Sequence, residues 1–172
     1  MGATPVQQIL DGYAEAATPA LIARIDSLDA REIYAPVLDL LPAAPVNIAD
    51  IGAGTGRDAA WFAEQGHHVW AVEPVEALRE AGRSRHRSDR ITWLDDRLPH
   101  LAEARMHGPF GSLRHGPGAP DRPAFPISPQ ETITASQRLG FTLVRQVGAD
   151  SVQPGNQTNG VRWTWLALSK SG

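Results

Sequence analysis

The sequence predicts an α/β protein built on a parallel sheet, and three observations predict it. Between residues 46 and 100, short apolar strands alternate with amphipathic helices over brief links, an order that favours parallel pairing and right-handed crossovers. A glycine-rich turn, Gly52 to Gly56, joins the first of these strands to the first helix. Two C-terminal stretches, "FTLVRQVGA" and "VRWTWLALS", read as strands, and the polar connector "DSVQPGNQTNG" between them suits an antiparallel hairpin. At 172 residues the chain is expected to form a single domain with a sizeable core. It divides into a helical segment (1–45), an alternating segment (46–104) and a less regular one (105–172).

The elements follow in order. "QQILDGYAEAATPALIARIDSL" is Ala-rich, and Ile9, Leu10 and Tyr13 have helical spacing. In "SLDAREIYAPVLDLLP", Asp29 and Glu32 form a capping-box pattern, and Ile33, Val37, Leu40 and Leu41 fall on one face. Pro36 kinks or delays this helix, and Pro42 ends it. "VNIADIG" is a strand. "GRDAAWFAEQG" is a helix with Asp58 in its first turn and Gly66 past its end. "HHVWAVEP" is a second strand, "PVEALREAGR" a second helix, and "ITWLDD" a third strand. "SPQETITASQRLG" carries a full set of helix signals: Ser128 as cap, Pro129 at the first position, Glu131 completing a capping box, and Gly140 as stop. In the last strand, Leu166 and Leu168 alternate with apolar partners, so both of its faces are expected to be covered.

Composition excludes several classes. The net charge of −3 leaves no polyanion-binding footprint, and the one basic cluster, Arg83 to Arg90, reads as a solvated turn, so no nucleic-acid partner is expected. With no cysteine there is no disulfide, thiolate nucleophile or Cys-type zinc site. No apolar run reaches membrane length, and no basic segment followed by an apolar run opens the chain. A cytoplasmic location is the default expectation. The histidines lack metal-ligand spacing, and no metal is expected.

The glycine turn carries the functional reading. Glycine permits positive φ and lets a ligand approach the backbone. The dinucleotide fingerprint is G-x-G-x-x-G, but here the spacing is G-x-G-x-G, with Asp50 two residues before the first glycine. Glu73 ends the second strand, where a carboxylate can accept from both hydroxyls of a ribose. Asp95 and Asp96 end the third. Ribose recognition alone fits NAD as well, which leaves a nicotinamide-dependent oxidoreductase as a rival. The compressed glycine spacing with its preceding acid resembles motif I of the class I S-adenosylmethionine (SAM)-dependent methyltransferases, bacterial small-molecule type. The resemblance covers about Ile33 to Leu101 and resumes from about Ser112 to the C-terminus.

The resemblance implies a Rossmann-like three-layer sandwich with a C-terminal antiparallel hairpin, SAM as cofactor, and methyl transfer to a small-molecule acceptor. By it, Asp50, Gly52, Ala53, Gly54 and Gly56 wrap the amino-acid end of SAM. Arg57 and Asp58 lie near the SAM carboxylate, Glu73 and Pro74 lie at the ribose, and Asp95, with Asp96 beside it, lies at the adenine. Tyr13 is either a core aromatic or part of a segment over the cofactor.

The resemblance also breaks. The family's fourth strand, the helix after it and most of the fifth strand have no counterpart, and "SLRHGPG" looks like the fifth strand's tail. In the family, strand four lies beside strand one, so its loss would leave a central edge open. The remnant around Gly111 to Arg114 could move over to pair there, a second copy of the chain could supply the edge in a homodimer, or the chain is a deletion product. The family's acceptor loop after strand four is absent, and Arg114 and His115 are the nearest remaining substrate candidates. No catalytic residue is assigned, and a SAM-binding pseudoenzyme without turnover is the second rival.

Overall fold

The alternation of strand and helix read in residues 46–100 is present in three dimensions. A computed structural model describes residues 5–98, 100–107, 112–115 and 128–170. They pack as two compact units, Met1–Ala30 with Pro42–Gly116, and Arg31–Leu41 with Pro117–Gly172.

The first unit opens with α1 (Pro5–Ala16) and α2 (Pro19–Asp26). Thr18 separates them. Its hydroxyl accepts from the Leu21 N–H at 3.3 Å, and Pro19 occupies the first helical turn, where a missing N–H is harmless. Then come β1 (Asn47–Ile51), α4 (Arg57–Glu64), β2 (His68–Val72), α5 (Glu76–Arg85), β3 (Ile91–Leu94) and β4 (Ser112–His115), with α3 belonging to the stretch between α2 and β1 described below. The four strands form one parallel sheet in the order β3-β2-β1-β4. The tail read as a strand remnant therefore lies beside β1, with Ile48 opposite Ser112 and Ile51 opposite His115.

Strand alternation sorts the side chains onto two faces. Ile48, Val69 and Ala71 share one face and are fully buried. α4 packs on β2 and β3, burying Ala59, Phe62 and Ala63. On the other face Ala49, Ile51, Val72 and Leu94 cluster with Ala104, and Trp70 and Leu101 pack against them. Each large side chain removed from water this way contributes about 1.5–3 kcal/mol. Ala104 belongs to a 3-10 turn, Ala104–His107. The basic cluster expected as a turn is part helix: α5 continues through Arg85, where Arg83 pairs with Glu80 (2.8 Å) and Arg85 with Asp26 (3.3 Å).

In the second unit, α3 (Ala30–Tyr34) runs into a 3-10 turn, Ala35–Leu40. Pro36 cannot donate to the helical ladder, so the α period is lost there. The expected stripe changes with it: Tyr34 and Val37, three apart, are buried, whereas Ile33, Leu40 and Leu41 are half-buried. Helix α6 (Pro129–Arg138) has its full capping box, and Gly140 follows at φ 84°. β5 (Phe141–Asp150) and β6 (Arg162–Lys170) form a separate antiparallel pair, with Val144 as the extra residue of a bulge. Their connector holds a short helix, α7 (Pro154–Thr158), fastened by the buried Ser151 and Asn156, whose Nδ2 donates to Ser151 Oγ at 3.2 Å. The expectation that both faces of β6 are covered is corrected. On the face that carries Arg162, Thr164, Leu166 and Leu168, the first two are exposed and only Leu166 and Leu168 are half-buried. Arg145 anchors β5 to the 3-10 turn, donating to both Asp39 oxygens (2.5 and 2.8 Å), and this pairing holds the Asp39 carboxyl below its ordinary value. Among the described residues, no helix is long and apolar enough to cross a membrane.

Candidate functional site

Asp50 and Ile51 end β1 in the middle of the sheet, and the chain must leave the sheet and enter α4 within five residues. It does so with three left-handed glycines, Gly52 (φ 76°), Gly54 (φ 58°) and Gly56 (φ 78°). Four of the turn's amides have acceptors within the chain. Gly52 N–H and Ala53 N–H both donate to Val72 O, at 2.8 and 3.0 Å. Gly56 N–H donates to Ala53 O at 2.9 Å, and Gly54 N–H donates to Glu73 Oε2 at 2.8 Å. A phosphate cradle aims such amides at its anion, whereas these four are aimed at the chain's own oxygens.

The glycines differ in what faces them. A Cβ added at Gly52 or Gly54 would meet nothing within 4 Å, so open space lies in front of both. A Cβ at Gly56 would lie 2.5 Å from the Trp93 ring, which also abuts Gly82, where the distance would be 2.1 Å. Gly56, read as part of the ligand turn, thus serves the packing of β3's tryptophan against α4 and α5. The contact joins residues far apart in sequence, so no local pattern announced it.

Glu73 follows β2 and is 5% exposed. Its two oxygens accept from Gly54 N–H and Val75 N–H, each at 2.8 Å. Burial raises its pKa; the Val75 and Gly54 amides oppose this, the Asp50 charge adds to it, and Arg79 opposes it. A carboxylate oxygen has two acceptor sites, so each retains capacity for a further donor. Asp50 is fully buried on β1, behind the turn. Pro74 borders a cleft of about 680 Å³ that runs along Val75, Glu76, Ala77, Asp95, Asp96 and Arg97, with Gln7, Leu10, Asp11 and Ala14 of α1 on its far side.

Asp95 and Asp96 have separate roles. Asp95 is 65% exposed and pairs with Arg79 Nη2 at 3.2 Å. Asp96 holds its own loop, accepting from the N–H groups of Arg97 (2.8 Å), Glu103 (2.8 Å) and Ala104 (3.0 Å). Partial burial raises its pKa, but the amides of Ala104, Arg97, Glu103 and Ala102 outweigh that and hold it below the ordinary value. Arg57, read as reaching toward a ligand carboxylate, folds back on Asp58: Nε to Oδ1 is 2.6 Å and Nη2 to Oδ2 is 2.9 Å. Asp58 is buried in the first turn of α4. Tyr13 packs with Leu10 and Ala17 against Ile22, Val75 and Leu78, which is the core reading. Arg114 and His115 contribute backbone to β4 beside Asp50 and Ile51; their side chains lie outside the described residues.

Two contributors escaped the sequence reading. Thr55, fully buried inside the turn, donates through its hydroxyl to Asp26 Oδ1, so the end of α2 is tied to the glycine turn. Arg79, in the first half of α5, joins the ends of β2 and β3. Each partner is distant in sequence, and neither pairing leaves a spacing signal.

No protein-family model and no curated protein matches the chain. Solved structures do. The chain is similar to a magnesium protoporphyrin IX methyltransferase from Synechocystis PCC 6803 with bound SAM, at 13% identity and TM-score 0.57, covering 99% of this chain and 86% of that one. It is also similar to a TehB-like SAM-dependent methyltransferase from Corynebacterium glutamicum, at 17% identity and TM-score 0.55, covering 94% and 98%. A third is the 1,6-didemethyltoxoflavin-N1-methyltransferase of Burkholderia thailandensis, bound to 1,6-didemethyltoxoflavin and S-adenosylhomocysteine, at 20% identity and TM-score 0.53, covering 89% of each chain. Against three further methyltransferase structures the matched part spans only 30%, 28% and 20% of those chains.

Proposed function

The chain has the Rossmann-like α/β fold of the SAM-dependent methyltransferases, and from that premise we propose that it binds SAM and transfers the methyl group to a small-molecule acceptor. One observation carries the reading: open space lies in front of Gly52 and Gly54, and the carboxylate hydrogen-bonded to that same turn, Glu73, keeps acceptor capacity. The residues fit an adenosyl sulfonium. Gly52 to Gly54 would lie along its amino-acid end, Glu73 would accept from the ribose hydroxyls, and Asp95 would accept from the adenine amine. Arg114 and His115, at the end of β4, are proposed for the acceptor side.

Bound there, SAM would supply an electrophilic methyl group on sulfur. The chain's own part is to hold donor and acceptor in line. The four turn amides that already have internal acceptors are compatible with a ligand segment that carries no phosphate.

Titration calorimetry with S-adenosylhomocysteine tests the reading. The chain should bind saturably. Gly54→Val should abolish binding, because a β-branched side chain fills the open space and resists positive φ. Glu73→Ala should weaken it by roughly 1.5–3 kcal/mol, the range for hydrogen bonds to a charged group. Unchanged affinity in a folded Gly54→Val protein, or binding of NAD alone, would overturn it.

One observation favours a second reading, binding without turnover. The link from β3 to β4, residues 95–111, holds a 3-10 turn and no α-helix among its described residues, where a parallel crossover ordinarily carries one. Binding without transfer from labelled SAM to any acceptor in a broad panel would support it.

A further inference from the structure

Arg79 joins the two acids proposed to read a nucleoside. It is only 7% exposed. Helical side chains lean toward the N-terminus of their helix, so from α5 the guanidinium reaches back to the strand ends. There Nη1 donates to the Glu73 carbonyl oxygen at 2.6 Å and Nη2 to Asp95 Oδ2 at 3.2 Å. Asp95 itself is 65% exposed and lines the cleft. An exposed carboxylate without an anchor samples many rotamers and presents no fixed acceptor. With Oδ2 held by a buried guanidinium, Oδ1 takes no partner among the described residues and stays an acceptor at a set distance from Glu73.

We infer that Arg79 is a positioning residue that sets base selectivity: by anchoring Asp95 to the backbone of Glu73, it makes the cleft prefer a purine with a 6-amino donor over one with a 6-oxo acceptor. The inference rests on the SAM reading above. A fixed anionic oxygen accepts from an amine and repels a carbonyl lone pair, so the discrimination depends on Asp95 being held in place.

The test is calorimetry with S-adenosylhomocysteine and its deaminated analogue, S-inosylhomocysteine. The unaltered protein should prefer the adenosyl form by on the order of 10- to 100-fold, the span expected for one hydrogen bond to a charged group. Arg79→Met should cut that ratio about tenfold, while Arg79→Lys, which restores a cation, should recover part of it. A merely structural role would weaken both ligands alike and leave the ratio unchanged, which overturns the inference. Arg79→Gln, whose amide can still donate to the Glu73 carbonyl, replaces Arg79→Met should that variant not fold. Failure of both to fold would assign Arg79 to the scaffold and also overturn it. Equal affinity of the unaltered protein for the two ligands overturns the selectivity alone, whereas binding of neither overturns the SAM reading itself.

Discussion

Gly54 and Gly56 occupy the same backbone region two residues apart, yet their substitution should have different consequences. An alanine at Gly54 meets open space, so the fold bears only the cost of positive φ, about 1–2 kcal/mol. An alanine at Gly56 bears the same cost and also places its Cβ 2.5 Å from Trp93, adding overpacking of about 1–3 kcal/mol. Urea unfolding should therefore show Gly56→Ala as clearly the less stable variant; equal midpoints would contradict the role given to Trp93. His67 makes a second prediction at this scale. Its Nδ1 accepts from Val46 N–H at 3.2 Å, which requires the neutral ring, and burial lowers its pKa below 6.5. A histidine whose folded pKa is depressed contributes stability above its unfolded value that is lost as pH falls through the folded one. Thermal midpoints should drop as the pH falls below the ordinary histidine value of about 6.5, and His67→Asn, which keeps an acceptor but does not titrate, should drop less. Parallel losses in the two proteins would remove His67 from the account.

At the scale of elements, α6 is the helix most plainly written in the chain. Ser128, Pro129, Glu131 and Gly140 are all local signals, and each has its expected role. Ser128→Ala should cost about 1 kcal/mol, read as a lower midpoint in thermal unfolding; an unchanged midpoint would show that the cap is not limiting. The strands of the sheet were legible for the same reason, since period and punctuation are local. Other features were not. The change of period at Pro36 moved burial from Ile33 to Tyr34, a choice between α and 3-10 geometry that the apolar pattern leaves open. Within the proposed site, the places of Gly52, Gly54, Glu73 and Asp95 at strand ends follow from local strand and turn signals. Arg57, which the resemblance sets near the SAM carboxylate, pairs with its neighbour Asp58, a contact the sequence pattern does not announce. The Arg79 and Thr55 links depend on how helices return to the sheet, and no spacing rule carries that.

For the molecule as a whole, the decisive fact is that β1 pairs with β2 on one side and also has a neighbour on the other. That neighbour, β4, is only four residues long. Leu113→Pro removes a backbone donor and disfavours strand geometry opposite Ala49. Freed of β4, the edge of β1 would become a template for another chain, so light scattering should show concentration-dependent association. A monomeric variant of unchanged stability would show that the four residues do not protect the edge. The glycine turn has its own consequence for motion. Since its amide protons at positions 52, 53, 54 and 56 already have internal acceptors, they should exchange slowly with deuterium before any ligand arrives. A ligand bound as proposed would meet a preorganised turn and lose little ordering entropy there, so the added protection on loading should concentrate at α1, which lines the cleft.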